Sequence, residues 1–244
     1  MNKYFYDLHI HSCLSPCADD DMTPANIAGM ASINGLNVVA LTDHNTSKNC
    51  PAFFAHAKRY GIVPVAGMEL TTSEDIHVIC LFPTLDAALD FDGFVDSRRI
   101  KIANKKALFG NQLIMNEDDE VAGEEEHLLI NATTIDLETA YNEVTDRGGV
   151  CYPAHVDRES GGMIAVLGDL PDEPEYTAFE LNDKASFGEY TSKYPKLSDK
   201  RYLVSSDAHN LWSVSAAENS LELDDEPYSS AKVRESLIKY LRGD

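Results

Sequence analysis

The residues best suited to chemistry are six of the eight histidines, His9, His11, His44, His77, His155 and His209, together with Glu69, Asp207 and the acidic run Asp19-Asp20-Asp21. His9 and His11 follow the aromatic Tyr4-Phe5-Tyr6, which suits a buried strand. Side chains alternate along a strand, so both imidazoles project from one side and supply half of a metal site. Imidazoles mixed with carboxylates suit Zn, Mn or Fe better than Ca or Mg. Eight or nine such ligands exceed what one tetrahedral ion can use, so two or three ions sharing a bridging carboxylate is the natural count. Such ions generate a hydroxide and stabilise both oxygens in a displacement at phosphorus.

Taken singly, each residue also has a structural reading. His44 after Asp43 could be a helix-entry pair, His77 a hydrogen-bonded core residue, Glu69 a cap for the next helix, and Asp207-x-His209 a turn. Their shared position at or inside expected strand ends argues for chemistry. His56 and His127 fall in a helical and a charged stretch and receive no role.

The elements that must position these residues can be taken in order. Thr23 caps a helix with Pro24 at its first position, Ile27, Met30 and Ala31 form its apolar stripe, and Gly35 stops it. Residues 36–41 read as a buried parallel strand ending in Thr42-Asp43-His44-Asn45. A helix over about 51–60 leads to a strand over 62–66 that runs into Gly67-Met68-Glu69, and residues 76–82 form a fourth strand carrying His77. Later, Asp136 caps a helix with Leu137, Ala140, Tyr141 and Val144 at helical spacing. Val150-Cys151-Tyr152 then runs into Pro153-Ala154-His155, residues 177–181 form a sixth strand, and Tyr202-Leu203-Val204 ends in Ser205-Ser206-Asp207-Ala208-His209. A last helix places Val233, Leu237, Tyr240 and Leu241 on one face. Strands separated by helices imply a parallel sheet, and seven with ligands at their C-terminal ends suggest an α/β barrel.

Residues 84–133 interrupt this alternation between the fourth and fifth strands. They hold a charged, helix-like stretch over 85–108 and then an acidic run, too long for a simple loop. The expectation is one domain over 1–244 with an insertion near the site. Arg98, Arg99, Lys101, Lys105 and Lys106 form either a phosphate clamp or a solvated helix face.

DLHIHS, TDHN, GMEL, the strand with His77, PAH and SSDAH resemble, in that order, the motifs of the PHP (polymerase and histidinol phosphatase) superfamily. The resemblance runs from residue 4 to about 210, apart from the insertion. It implies a distorted (β/α)7 barrel, a trinuclear metal site and phosphoesterase activity. Carried over position by position, it implies that His9, His11, Glu69 and Asp207 hold one ion. Glu69 would bridge to a second ion completed by His77 and His155, and His44 with His209 would hold the third. Many relatives carry His or Asp five to seven residues after the H-x-H pair. Here the ungapped match is Cys17, whereas a short insertion brings Asp19 into place, with Asp20 and Asp21 beside it. A thiolate would favour Zn and a carboxylate Mn or Fe, and the choice stays open. Arg158, just beyond His155, joins Glu69 and Asp207 as a candidate catalytic residue because it could hold a phosphate bidentately. An ion pair with Asp157 or Glu159 is its structural reading.

The expected activity is therefore phosphoesterase, with two or three divalent transition-metal ions (Zn, Mn or Fe) and a metal-bound hydroxide attacking a small phosphorylated metabolite or nucleotide. A barrel amidohydrolase and a catalytically inactive, metal-stabilised regulatory module are the alternatives, the second opposed by the full ligand set. The formal net charge of −21 speaks against a nucleic-acid polymer as partner, because binding phosphate backbones relies on Lys and Arg. No apolar run reaches the ~20 residues of a membrane span, and the N-terminus lacks a secretory pattern, so a cytoplasmic location is expected. Five scattered cysteines without a CxxC pair argue for reduced thiols. Oligomeric state is not readable.

Overall fold

The computed structural model describes residues 1–244, and the chain begins as its hydrophobic pattern suggests. β1 (Asn2–Asp7) is followed by α1 (Pro24–Ile33), β2 (Val38–Leu41), α2 (Cys50–Arg59), β3 (Val63–Thr71) and β4 (His77–Phe82). Thr23 caps α1 by accepting the Asn26 N–H at 3.2 Å, with Pro24 at the first helical position. The segment after β4 holds α3 (Leu85–Asp96), α4 (Lys106–Phe109) and the hairpin of β5 (Leu113–Met115) with β6 (Val121–Glu124). Then come α5 (Leu137–Asp146), β7 (Val150–Pro153), α6 (Met163–Leu167), β8 (Ala178–Leu181), α7 (Phe187–Lys193), β9 (Arg201–Val204), β10 (Ser220–Leu223) and α8 (Ser230–Arg242).

The result is a mixed α/β fold around a curled sheet of order β10-β1-β2-β3-β4-β7, with β8 and β9 as a parallel ribbon. The ribbon bridges from β7 to β1. The Val156 N–H donates to Glu180 O at 2.9 Å beyond β7, and Ile10 beyond β1 pairs with Ala208 beyond β9.

Two expectations need correction, and one strand was not expected. The sheet is not wholly parallel, because β4 runs antiparallel to both β3 and β7. The 72–76 connection is too short for the crossover of a dozen or more residues that parallel pairing requires, so the chain makes a hairpin. The stretch 85–108 is not one helix. It stops at Asp96, whose carboxylate accepts from Arg99 and Lys101 and draws the following chain back. β10, antiparallel to β1, is absent from the sequence reading.

Alternation along the strands creates two cores. Leu8, Val38, Ala40, Val65, Ile79, Leu81 and Tyr152 face inward and are closed by Val233, Leu237 and Leu241 of α8. Val39, Leu41, Ala66, Met68, Val78 and Cys80 face outward, against Ile27, Phe53, Phe91 and Val144 of the flanking helices. Each fully buried side chain of this size contributes roughly 1.5–3 kcal/mol. An exposed ion pair contributes about 0–1 kcal/mol, so the two apolar faces determine the fold.

The 84–133 segment is tied to the strand ends. Asn49 donates to Leu113 O at 3.0 Å and accepts the Met115 N–H at 2.9 Å, while Asn45 donates to Leu129 O at 2.6 Å and Asn131 O at 2.9 Å. All five cysteines are free, and no helix is long and apolar enough to cross a membrane.

Candidate metal centre

His9 and His11 lie just past β1, where the Ile10–Ala208 pairing keeps the chain extended and turns both imidazoles inward. Glu69 sits within β3 opposite Ile79, rather than capping a helix. Gly67, two residues earlier, lets β3 approach its neighbours, since a Cβ there would lie 2.7 Å from Leu81 Cδ2 and 2.8 Å from Cys80 O. Because β4 runs antiparallel, His77 occupies its first position and still reaches the same end as Glu69. His155 and Asp207 follow β7 and β9 with φ of 24° and 48°. Non-glycine residues there carry strain of about 1–3 kcal/mol each, which the surroundings must offset.

These residues converge on Glu69, which is 1% exposed. Its Oε1 lies 2.7 Å from His77 Nδ1 and 3.0 Å from His155 Nε2, and its Oε2 lies 3.0 Å from His44 Nδ1 and 3.1 Å from His11 Nε2. Four atoms form the largest set: His9 Nε2, His11 Nε2, Glu69 Oε2 and Asp207 Oδ1. Their separations are 3.1 Å between the imidazoles, 3.4 Å and 3.1 Å from them to Glu69, and 3.3 Å and 3.1 Å to Asp207. A tetrahedral ion with bonds of ~2.0 Å has ligand–ligand edges of roughly 3.3 Å, so this set fits one transition-metal ion. His11, His44 and His209 form a second set, and His44, Glu69 and His77 a third. His155 stands outside the three sets, although its Nε2 touches Glu69.

Glu69 Oε2, Asp207 Oδ1 and His44 Nδ1 are buried without a hydrogen-bond partner. Orphaned lone pairs at such depth cost about 1–3 kcal/mol each, and cations in the neighbouring ligand sets would satisfy them. The titration behaviour agrees. Burial acts to lower His9, but Glu180, Asp207 and Glu69 outweigh it and raise it well above its usual value. Burial likewise opposes protonation of His11, which Asp207 and Glu69 nevertheless raise to about 9. Burial lowers His44 to about 4 and His209 to about 3. Against the effect of burial, the surrounding imidazoles hold Glu69 and Asp207 below the usual carboxylate range. Without a cation, protons on His9 and His11 neutralise the two acids.

Cys17 and Arg158 line the same cavity, of about 210 Å³, together with Ile130 and Ser160; Asp19 does not. Although Cys17 as a residue is exposed, desolvation of its thiol at the cavity wall, then Glu69 and Asp207, pushes it up to about 12. Arg158 pairs with Asp207 through Nη1 and Oδ2, rather than with Asp157 or Glu159. Asp157 instead accepts the Asn182 and Asp183 N–H groups. None of Arg98, Arg99, Lys101, Lys105 and Lys106 lines the cavity. Arg99 is buried against Asp96 and Glu125, Lys101 pairs with Asp96, and Lys106 with Glu124.

Glu180, Asp43 and Ser15 escaped the sequence reading. Glu180 Oε1 lies 2.7 Å from His9 Nδ1, and Ser15 Oγ lies 2.9 Å from His11 Nδ1 and 2.7 Å from Asp43 Oδ1. An acidic residue inside the apolar run Thr177-Ala178-Phe179-Glu180-Leu181 was a signal available in the sequence.

Against known proteins, the PHP domain model matches residues 7–136. The chain belongs to the PHP domain family. Five of the clustered residues, from His9 to His77, fall inside that match, while His155, Asp207 and His209 are supplied by the chain beyond it. Among similar sequences, a 5'-3' exoribonuclease of Haemophilus influenzae is 35% identical over 79 residues, covering 31% of this chain and 28% of that protein. The lesion-specific endonuclease PfuEndoQ of Pyrococcus furiosus superposes with a TM-score of 0.61 at 18% identity, over 99% of this chain and 56% of its own. A candidate metal-dependent phosphoesterase from Bifidobacterium adolescentis gives 0.62 at 17%, over 95% of both chains. The chain thus spans just over a quarter of the exoribonuclease and just over half of PfuEndoQ. The structural likenesses establish the fold.

One expectation is overturned here. Endonuclease Q, similar with a TM-score of 0.58 at 17% identity over 99% of this chain and 57% of its own, is solved with a 27-mer duplex substrate whose abasic lesion lies at the active site. Net charge therefore does not exclude nucleic acid for this fold. A total of −21 is a property of the whole surface, whereas recognition depends on the local field, which bound cations invert.

Proposed function

We propose that this PHP-domain protein is a metal-dependent phosphoesterase. The observation that carries the reading is the set of four atoms from His9, His11, Glu69 and Asp207, spaced as the edges of one metal polyhedron and left unsatisfied on the carboxylate side. Divalent ions held there would supply Lewis acidity toward phosphate oxygens and would activate water. The chain's own residues do the rest. Glu69 faces all three sets of ligands and keeps its charge among them. Arg158 at the cavity mouth exchanges Asp207 for a substrate phosphate, with Ser160 beside it. Ile130, carried by the 84–133 segment, excludes water from one side.

In this reading β1, β2, β3, β4, β7, β8 and β9 are the family's seven barrel strands, and 84–133 is an insertion. His77 and His155 serve one further ion and His44 with His209 another. Cys17 is the added ligand in preference to Asp19, because Cys17 lines the cavity. The substrate is a phosphate ester, either a small phosphorylated metabolite or nucleotide or a nucleic-acid strand, the latter favoured by the nuclease names among the relatives.

Purified protein loaded with Mn or Zn is to be screened against phosphorylated metabolites, mononucleotides and single- and double-stranded oligonucleotides. Phosphate release or strand cleavage that vanishes on chelation and returns with metal is expected. Hydrolysis of amide substrates with none of any phosphate ester would refute the proposal.

A further inference from the structure

In the largest cluster, the ring nitrogens of His9 and His11 that point away from the shared centre are held by groups outside the ligand set. His9 Nδ1 lies 2.7 Å from Glu180 Oε1. A carboxylate only accepts, so once His9 gives up its second proton, as it must to ligate, the remaining one stays on Nδ1 and Nε2 carries the free lone pair. Ser15 reaches the same result through valence. Its one hydroxyl proton goes to Asp43 Oδ1 at 2.7 Å, and its lone pairs take the His44 backbone N–H at 3.2 Å and the His11 ring at 2.9 Å. No proton remains for His11, so Nδ1 must be the donor there too. Asp43 is fixed in turn by the Ser12 N–H at 2.7 Å and the Ser12 hydroxyl at 2.6 Å.

We infer that Glu180 and Ser15, the latter backed by Asp43, are positioning residues that set the tautomers of His9 and His11, so that both Nε2 lone pairs meet at the point shared with Glu69 and Asp207. The inference rests on the metal-site reading above. The two devices have different reach. Glu180 serves His9, which belongs to one cluster only, and its charge strengthens that imidazole as a donor. Ser15 serves His11, shared by two clusters, and also holds the backbone of His44, itself shared by two. Loss of the Glu180 charge therefore weakens one class of ion, and loss of the Ser15 hydroxyl weakens at least two.

The test uses zinc titrated into the metal-free full chain in competition with a chromophoric chelator, for wild type, Glu180→Gln and Ser15→Ala. Glu180→Gln keeps the shape and an acceptor oxygen while removing the charge. It should lower the affinity of one class of zinc by about 10–100-fold and leave the others within about twofold. Ser15→Ala should lower two classes. Long-range proton–nitrogen NMR of the zinc-loaded wild type should show Nδ1 protonated in both His9 and His11. Folded variants with unchanged zinc affinities, or an Nε2–H pattern at either ring, would overturn the inference while leaving the metal site standing. A wild-type chain that takes up no zinc would overturn both. Should Glu180→Gln not fold, the wild-type NMR pattern decides.

Discussion

Metal uptake by this chain must displace protons, and the number can be worked out residue by residue. In the ion-free protein His9 is raised well above its usual value and His11 to about 9, so both are protonated at pH 7. Both must become neutral to bind a cation. His44 at about 4 and His209 at about 3 are already neutral, and Glu69 and Asp207 are already ionised, so none of these releases a proton. An ion entering the His9, His11, Glu69 and Asp207 set therefore expels about two protons. His77 is also raised by Glu69 against burial, so its own ion competes with a proton in the same direction. A Cys17 thiol at about 12 adds a further whole proton if it ligates.

The sign follows from the direction of the shifts. Protons compete with the cation for His9 and His11, so affinity weakens as pH falls. Each displaced proton changes the apparent affinity tenfold per pH unit, about 1.4 kcal/mol. Two of them give about 100-fold, or about 2.7 kcal/mol, between pH 7 and pH 6. Isothermal titration calorimetry of zinc at pH 7, in buffers of different ionisation enthalpy, counts the protons directly. The Cys17→Ser variant should release one fewer if the thiol is a ligand. Fewer than one proton released, or an affinity flat from pH 6 to 7, would refute the charge assignment.

Glu69→Gln should leave a folded chain, because the side chain keeps its volume, yet lose activity on a phosphate ester by at least about 100-fold. Removing one member of a buried charged cluster costs about 3–5 kcal/mol, and unchanged turnover with metal still bound would exclude Glu69 as the bridging group. Arg158→Gln should raise KM by on the order of tenfold or more with a smaller change in kcat, as expected for a lost charge-assisted hydrogen bond of about 1.5–3 kcal/mol. A fall in metal content at unchanged KM would instead make Arg158 a partner for Asp207 alone. Replacing Lys101, Lys105 and Lys106 with Gln should alter kcat/KM less than about twofold and stability by less than about 0.5 kcal/mol, since these exposed side chains do not reach the cavity. A larger loss of kcat/KM on anionic esters than on neutral-tailed ones would restore a phosphate-clamping role to this segment.

The local code of the chain was readable without coordinates. Thr23 with Pro24, and Asp136 accepting the Thr139 N–H at 2.8 Å, mark helix starts through hydrogen bonds that span three residues. Period-two alternation separated Val38 and Ala40 from Val39 and Leu41, and placed His9 and His11 on one side. Residue types at strand ends were enough to nominate a multi-ion centre, because few other roles collect imidazoles and carboxylates at recurrent breaks in hydrophobic runs. The direction of β4 was within reach as well, since the short 72–76 connection permits little but a hairpin.

Tertiary structure decided what depends on neighbours distant in the chain. Glu180 meets His9 across 171 positions, and Asp43 reaches Ser15 across 28, so neither leaves a periodic trace. Arg99 looked like part of a solvated or phosphate-binding face until folding buried it between Asp96 and Glu125. That Cys17 rather than Asp19 lines the cavity was similarly invisible, because both lie in one loop and only its path brings Cys17 to the wall. Net charge misled for the same reason. It sums over the whole surface, while binding responds to the few charges that the fold gathers within a Debye length of about 8–10 Å.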